Sequence, residues 1–217
     1  MSFYWIKTNS IIKRIFSNYI WDIPNTENII YLTFDDGPTP EITEWVLEQL
    51  SNHNAKATFF CIGKNIEAQP SIFKKIINAG HTIGNHTFNH LNGWKATIEE
   101  YAANVSLCAY SISKRKLEQN KITSKLFRPP YGKIKPAQAR NLAKQGYKII
   151  MWDVLSADFD QTITKEKCLK NVVSNIKPGS IIVFHDSVKA FKNLEYTLPR
   201  VLEYIDENNF SYGTIIP

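Results

Sequence analysis

At 217 residues, with 43% hydrophobic and 21% charged positions, the chain can bury roughly 70% of its unfolded surface in one core. That composition excludes collagenous, disordered and disulfide-scaffold classes and points to one large globular domain. The formal charge of +6 and pI of about 9.1 favour anionic partners, but the lysines are dispersed, with no recognition helix or aromatic–basic platform, so no nucleic-acid partner is expected.

The first twenty residues place Lys7, Lys13 and Arg14 among Ile11, Ile12, Ile15 and Phe16. Apolar runs there are too short to span a bilayer, and no h-region or small-residue cleavage site follows. Location is therefore open, with the cytoplasm as the default and export by another route or a trimmed chain as alternatives. Residues 1–28 read as an amphipathic segment capping one end of the domain, and contact with a membrane surface is the weaker reading.

Ile29–Phe34 is an apolar run of strand formers ending at Asp-Asp-Gly. Pro40 then opens a helix, with Thr39 as its cap and Ile42, Trp45, Val46 and Leu50 on one face. A strand follows near Ala57–Ile62, a helix near Ser71–Asn78 stopped by Gly80, and a short strand near Thr82–Gly84. Ile98, Tyr101, Ala102, Val105 and Ala109 recur at helical spacing. Strands are expected at Lys125–Phe127, Tyr147–Trp152 and Ser180–Phe184, with a last one at Gly213–Ile216. Cys61, Cys108 and Cys168 make no CxxC pair, which predicts neither a disulfide framework nor a thiolate metal site.

Alternating strands and helices imply a parallel sheet with helices outside. About seven such units suggest an α/β fold of the distorted (β/α) barrel type, since the regular eightfold barrel takes about 250 residues. An open doubly wound sheet is the alternative, but no glycine-rich phosphate loop follows the first strand.

The reactive side chains fall just after strands: Asp35 and Asp36, His86 and His90, Arg128, Asp158, then His185 and Asp186. In a parallel barrel all these strand ends open on one face. Singly, each has a plain reading: Asp-Asp-Gly-Pro makes a good turn, a His-x-x-x-His pair is often structural, and His185 suits a hydrogen-bonded core histidine. One site at the barrel mouth accounts for all of them together. The spacing of His86 and His90 suits a single helical turn that presents both rings on one side.

Thr33-Phe34-Asp35-Asp36-Gly37, His86-Thr87-Phe88-Asn89-His90, Arg128-Pro129-Pro130-Tyr131-Gly132, Trp152 to Asp158 and Val183-Phe184-His185 resemble, in order and interval, the motifs of the polysaccharide deacetylase (NodB-homology) family of carbohydrate esterases. The resemblance covers Ile29 to the C-terminus, which makes residues 29–217 the catalytic domain, and it implies a distorted (β/α) barrel. It also implies a metal-dependent hydrolase that removes N-acetyl groups from an N-acetylglucosamine-containing glycan such as peptidoglycan, chitin or a chito-oligosaccharide. Asp36, His86 and His90 would hold one divalent ion, leaving coordination positions open. That donor set suits zinc first, with cobalt, nickel or iron as alternatives.

The resemblance assigns the general base to Asp35 and the general acid to His185. Arg128 would pair with the base, Asp158 would steady the acid, and the Tyr131 backbone N–H would help to hold the oxyanion. Trp152, Phe159 and Val183 are candidate walls of an acetyl pocket. Two positions depart from the family pattern: many members carry Asp where this chain has Leu155, and Trp where it has Phe159. A metal-dependent amidase or esterase for a small acylated molecule or an O-acetyl sugar is the alternative. A non-catalytic glycan-binding module is a third reading, disfavoured because Asp35 and His185 are both kept.

Overall fold

The computed structural model describes residues 4–117 and 125–216. A short helix α1 (Ser10–Ile15) precedes β1 (Ile29–Asp35), α2 (Ile42–Asn52) and β2 (Thr58–Cys61). Two short helices, α3 (Gly63–Ala68) and α4 (Pro70–Asn78), lead to β3 (Thr82–Asn85) and the long α5 (Ile98–Leu117). Then come β4 (Leu126–Phe127), α6 (Pro136–Lys144), β5 (Lys148–Ile149) and β6 (Val154–Leu155). The chain continues through α7 (Lys165–Val173), β7 (Ile181–His185), α8 (Val188–Glu207) and β8 (Ser211–Tyr212). The strands pair in the order β5-β4-β3-β2-β1-β7-β6, every pair parallel, and β8 adds to the start of β1. The sheet curls into the expected distorted (β/α) barrel.

Alternation along the strands sorts two cores. Outward, Phe34 stacks on Phe59 and Phe184 at 5.1 and 5.8 Å between ring centroids, in the layer shared with α2 and α8. Inward, Tyr31, Phe60, Leu126, Ile150, Ile181 and Ile215 pack together. Above that plug, Thr33 lies in register with Val183, and Val183 with Leu155; one step higher, Asp35 lies in register with His185. The barrel interior thus changes from apolar to ionisable within one strand.

Four local expectations need correction. Helix α2 begins at Ile42, not Pro40, because Glu41 takes φ 65° and breaks the turn; Thr39 instead donates its N–H to Thr43 Oγ1 at 2.7 Å. The strand expected at Tyr147–Trp152 shrinks to β5, and β6 forms beyond it at Val154–Leu155; the two pair with opposite ends of the sheet. Between them the Ile150 and Met151 carbonyls accept hydrogen bonds from the Arg128 guanidinium, which draws this stretch inward. Helix α3 was not anticipated, and the last strand sits at Ser211–Tyr212, earlier than Gly213–Ile216.

Two buried carboxylates set the frame. Asp153 is fully buried and takes the ammonium groups of Lys7 (2.5 Å) and Lys13, together with the Ser180 hydroxyl (2.6 Å). With bridges from Lys7 to Val154 and from Ile20 to Ile150, this ties the N-terminal segment to both ends of the sheet. Asp186, also fully buried, accepts from the Gly37 N–H (3.0 Å) and the Thr43 hydroxyl (2.5 Å). A Cβ on Gly37 would lie 1.9 Å from Asp186 Oδ2, so only glycine fits there. Burial pushes the Asp186 carboxyl up to about 8, against the hydrogen bonds from Thr43 and Gly37.

Both anchors are testable. Asp153→Ala should cost about 2–4 kcal/mol in urea unfolding, towards the low end for a buried pair because both lysine stems reach water. A loss below about 0.5 kcal/mol would show that the N-terminal segment is held by packing alone. Asp186→Ala strands two buried donors and should cost about 1–3 kcal/mol, while Asp186→Asn, which keeps one acceptor oxygen, should cost less.

Candidate active site and metal centre

The mouth of the barrel is assembled around Asp35 and Asp36. Asp35 ends β1 facing inward, and its Oδ1 accepts from Arg128 Nη1 at 2.8 Å. Arg128 is fully buried, with its other donors on Thr33 Oγ1 (2.6 Å), the Met151 carbonyl (2.8 Å) and the Ile150 carbonyl (3.3 Å). Its guanidinium lies over the Phe60 ring at 4.2 Å. Burial lowers the Arg128 pKa, and Asp35 opposes that shift.

Asp36 leaves the strand at φ 84°, which turns its side chain away from that of Asp35. The loop is pinned from several sides, by Asn65 Nδ2 on the Asp36 carbonyl (2.7 Å), by the Ile62 N–H on the Gly37 carbonyl (3.0 Å) and by Asp186 on the Gly37 N–H. Asp36 Oδ1 then comes to 3.2 Å from His90 Nε2 and 3.6 Å from His86 Nε2. Neither approach has hydrogen-bond geometry, so this buried oxygen has no hydrogen-bond partner. Burial pushes the Asp36 carboxyl up, but His90, His185 and His86 outweigh it and hold the group well below the usual carboxylate range.

The two histidines are presented by a non-helical turn, contrary to the helical turn expected. Thr87 and His90 take φ 64° and 59°. Side-chain amides stabilise that backbone: Asn85 Oδ1 accepts from the Thr87 N–H (2.9 Å) and Asn104 Oδ1 from the Phe88 N–H (2.8 Å). Asn85 and Asn104 therefore belong to the architecture of the site, although sequence reasoning passed over both; the asparagine just before His86 was the available signal.

His86 Nδ1 lies 2.8 Å from the Arg128 carbonyl. A carbonyl only accepts, so Nδ1 carries the proton and Nε2 keeps a lone pair aimed at Asp36. Burial pulls the His86 pKa down to about 4, with His90 adding to the shift. His90 Nδ1 meets the Tyr131 hydroxyl at 3.1 Å. One donor atom from each of Asp36, His86 and His90 falls within 4.8 Å of the others. An orphaned carboxylate oxygen facing two imidazole lone-pair positions is a donor set that fits a divalent cation.

On the opposite wall, His185 Nδ1 meets Asp158 Oδ1 at 2.7 Å, and the His185 backbone N–H donates to Asp158 Oδ2, also at 2.7 Å. Asp158 is fully buried behind it. Burial pulls the His185 ring down, but Asp158, with Asp36 and Asp35, outweighs it and holds the pKa up at about 9.

The expected pocket walls do not share one setting. Phe159 is half-buried, its ring edge-on to His185 at 5.1 Å. Trp152 packs against Gly132, where a Cβ would come within 2.7 Å of its ring. Val183 is buried in the inward layer beside Leu155. Tyr131 takes φ 61° in the turn Pro130–Gly132 and lays its ring on His90 at 4.5 Å.

A family model described as polysaccharide deacetylase matches residues 22–150. A peptidoglycan-N-acetylglucosamine deacetylase of Bacillus cereus is 37% identical over 172 residues, 78% of this chain, which spans only 60% of that relative. A chitooligosaccharide deacetylase of Azorhizobium caulinodans is 36% identical over 167 residues, 76% of each protein. Among solved structures, the Bc1960 peptidoglycan N-acetylglucosamine deacetylase, crystallised with an N-hydroxybenzamide, superposes with a TM-score of 0.84 at 32% identity over 91% of both chains. The fold, the motif order and these relatives agree: the chain belongs to the polysaccharide deacetylase family and is a hydrolase of amide bonds.

Proposed function

We propose that this protein removes N-acetyl groups from an N-acetylglucosamine-containing glycan, using one divalent ion held by Asp36, His86 and His90, with zinc as the expected metal. The observation that carries this reading is the orphaned Asp36 Oδ1 facing two histidine Nε2 atoms, beside a carboxylate and a histidine on neighbouring strands. A bound ion would supply a Lewis acid for the acyl oxygen and acidify a water.

The chain's own residues handle the protons. Asp35, with Oδ1 committed to Arg128, offers its second oxygen to take a proton from the attacking water. His185, with Nδ1 committed to Asp158, gives a proton from Nε2 to the departing amine, so acetate and a free amino sugar leave. The Tyr131 backbone N–H is assigned to the oxyanion, and Phe159, Trp152 and Val183 to the acetyl side of the pocket. The names of the relatives support glycan substrates of the peptidoglycan or chito-oligosaccharide type.

Released acetate tests the reading, with metal-loaded protein incubated with N-acetylglucosamine oligomers and with peptidoglycan. Asp35→Asn should lower kcat by about 10²–10⁴-fold with the fold retained. Failure of both substrates, with metal bound, would move the assignment to a small acylated molecule or an O-acetyl sugar. The alkaline limb of kcat/KM supplies a second test. An acid must be protonated, so activity should fall as pH rises through about 9. Asp158 holds that value up, so Asp158→Asn should move the limb to lower pH by roughly one unit or more. An unmoved limb would remove His185 from the role of acid.

A further inference from the structure

The segment that follows His90 runs beside the one that follows Tyr131. His90 and Tyr131 touch at the site, and farther out the Gly93 N–H donates to the Lys133 carbonyl at 3.2 Å. This outer turn, Gly93–Lys95, is built rather than loose. Its start is fixed by Asn92 Oδ1 on the Trp94 N–H at 3.0 Å. The buried Gln138 spends its amide on the carbonyls of Gly93 (2.8 Å), Ala96 (3.2 Å) and Thr97 (3.3 Å), while its Oε1 accepts from the Lys135 N–H (2.9 Å). Gly93 has no room for a side chain, since a Cβ would lie 2.5 Å from the Lys133 carbonyl oxygen.

What this rigid turn presents is an aromatic ring in water. Trp94 is 59% exposed and Tyr131, which touches His90, is 61% exposed. Lys133 holds its ammonium 5.1 Å from the centre of the Trp94 ring, and among the described residues it has no acidic partner. Fixing a large exposed aromatic on a clamped backbone lowers the entropy cost of stacking something on it. The apolar face of a pyranose ring is such a partner, and the adjacent cation suits one that carries a carboxylate.

We propose that Trp94 and Lys133 form a subsite for the sugar next to the reacting N-acetyl unit, selecting a neighbour that bears a free carboxylate, as a lactyl sugar of peptidoglycan without its stem peptide does, over a neutral chito-oligosaccharide. The inference rests on the glycan reading above and narrows it. Within it, Trp94 stacks on the neighbouring ring in either polymer, and Lys133 reads the charge.

Steady-state acetate release from a neutral N-acetylglucosamine tetramer and from a soluble, peptide-free peptidoglycan glycan of equal length tests it, alongside calorimetric binding of both. Trp94→Ala should raise KM about 3- to 10-fold on both with kcat within about twofold, and Trp94→Phe should restore most of the loss. Lys133→Gln should raise KM about threefold on the carboxylate-bearing glycan alone, an effect that salt should erase in wild type. Unchanged KM and binding in Trp94→Ala would overturn the platform. An equal change on both glycans in Lys133→Gln, or tighter wild-type binding of the neutral tetramer, would overturn the carboxylate preference. Binding without acetate release from wild type would instead count against the deacetylase reading and leave the subsite standing.

Discussion

The Arg128 guanidinium is wholly removed from water, a position tolerable for a cation only when its donors are met and a counter-charge is close. Thr33, Asp35, Ile150 and Met151 meet them, and the Phe60 ring covers one face. Each of those contacts also shapes something else. The pull on Ile150 and Met151 ends β5 and sends the chain across to β6, and the Arg128 carbonyl sets the tautomer of His86. A buried ion pair is a poor stability device, because an apolar pair of equal volume does as well. Its presence at the base of the site therefore speaks for a need to hold Asp35 in one orientation.

Around that pair, two histidines of identical chemistry are driven apart by what faces Nδ1. His86 faces a carbonyl and is held neutral by burial, its pKa about 4. His185 is buried too, but it faces the Asp158 carboxylate and is held protonated to about 9. Environments that separate like groups in this way define lone-pair donors on one side and proton donors on the other. The separation matches the proposed division of labour between metal ligand and acid, and it follows from whether a carbonyl or a carboxylate terminates the neighbouring loop.

Much of this was legible in the amino-acid order. Apolar runs of strand formers located β1, β2 and β7 because those strands are buried on both faces, and the placing of Asp35, His86, Arg128 and His185 at or just past strand ends put them at one mouth. What stayed hidden was long-range. Nothing local marks the end of β5 or the separate β6, since the break between them comes from Arg128, about twenty positions earlier in the chain. The helical turn expected for His86 and His90 was replaced by a positive-φ turn, whose support comes from Asn104 on α5. Asp186 read only as one more polar residue at a strand end, yet with Thr43 it fixes the loop that carries Asp36. Trp94 carried no periodic signal at all.

The proposed chemistry requires that Asp36, His86 and His90 together hold one divalent ion. That requirement is most directly tested by measuring metal stoichiometry and affinity in wild type, Asp36→Ala and His86→Ala after loading with zinc, and with cobalt as a coloured probe. One ion per wild-type chain is expected, with affinity weakened by at least about 100-fold in each variant and folding retained. A wild-type chain that takes up no ion, or an Asp36→Ala chain that binds it undiminished, would contradict it.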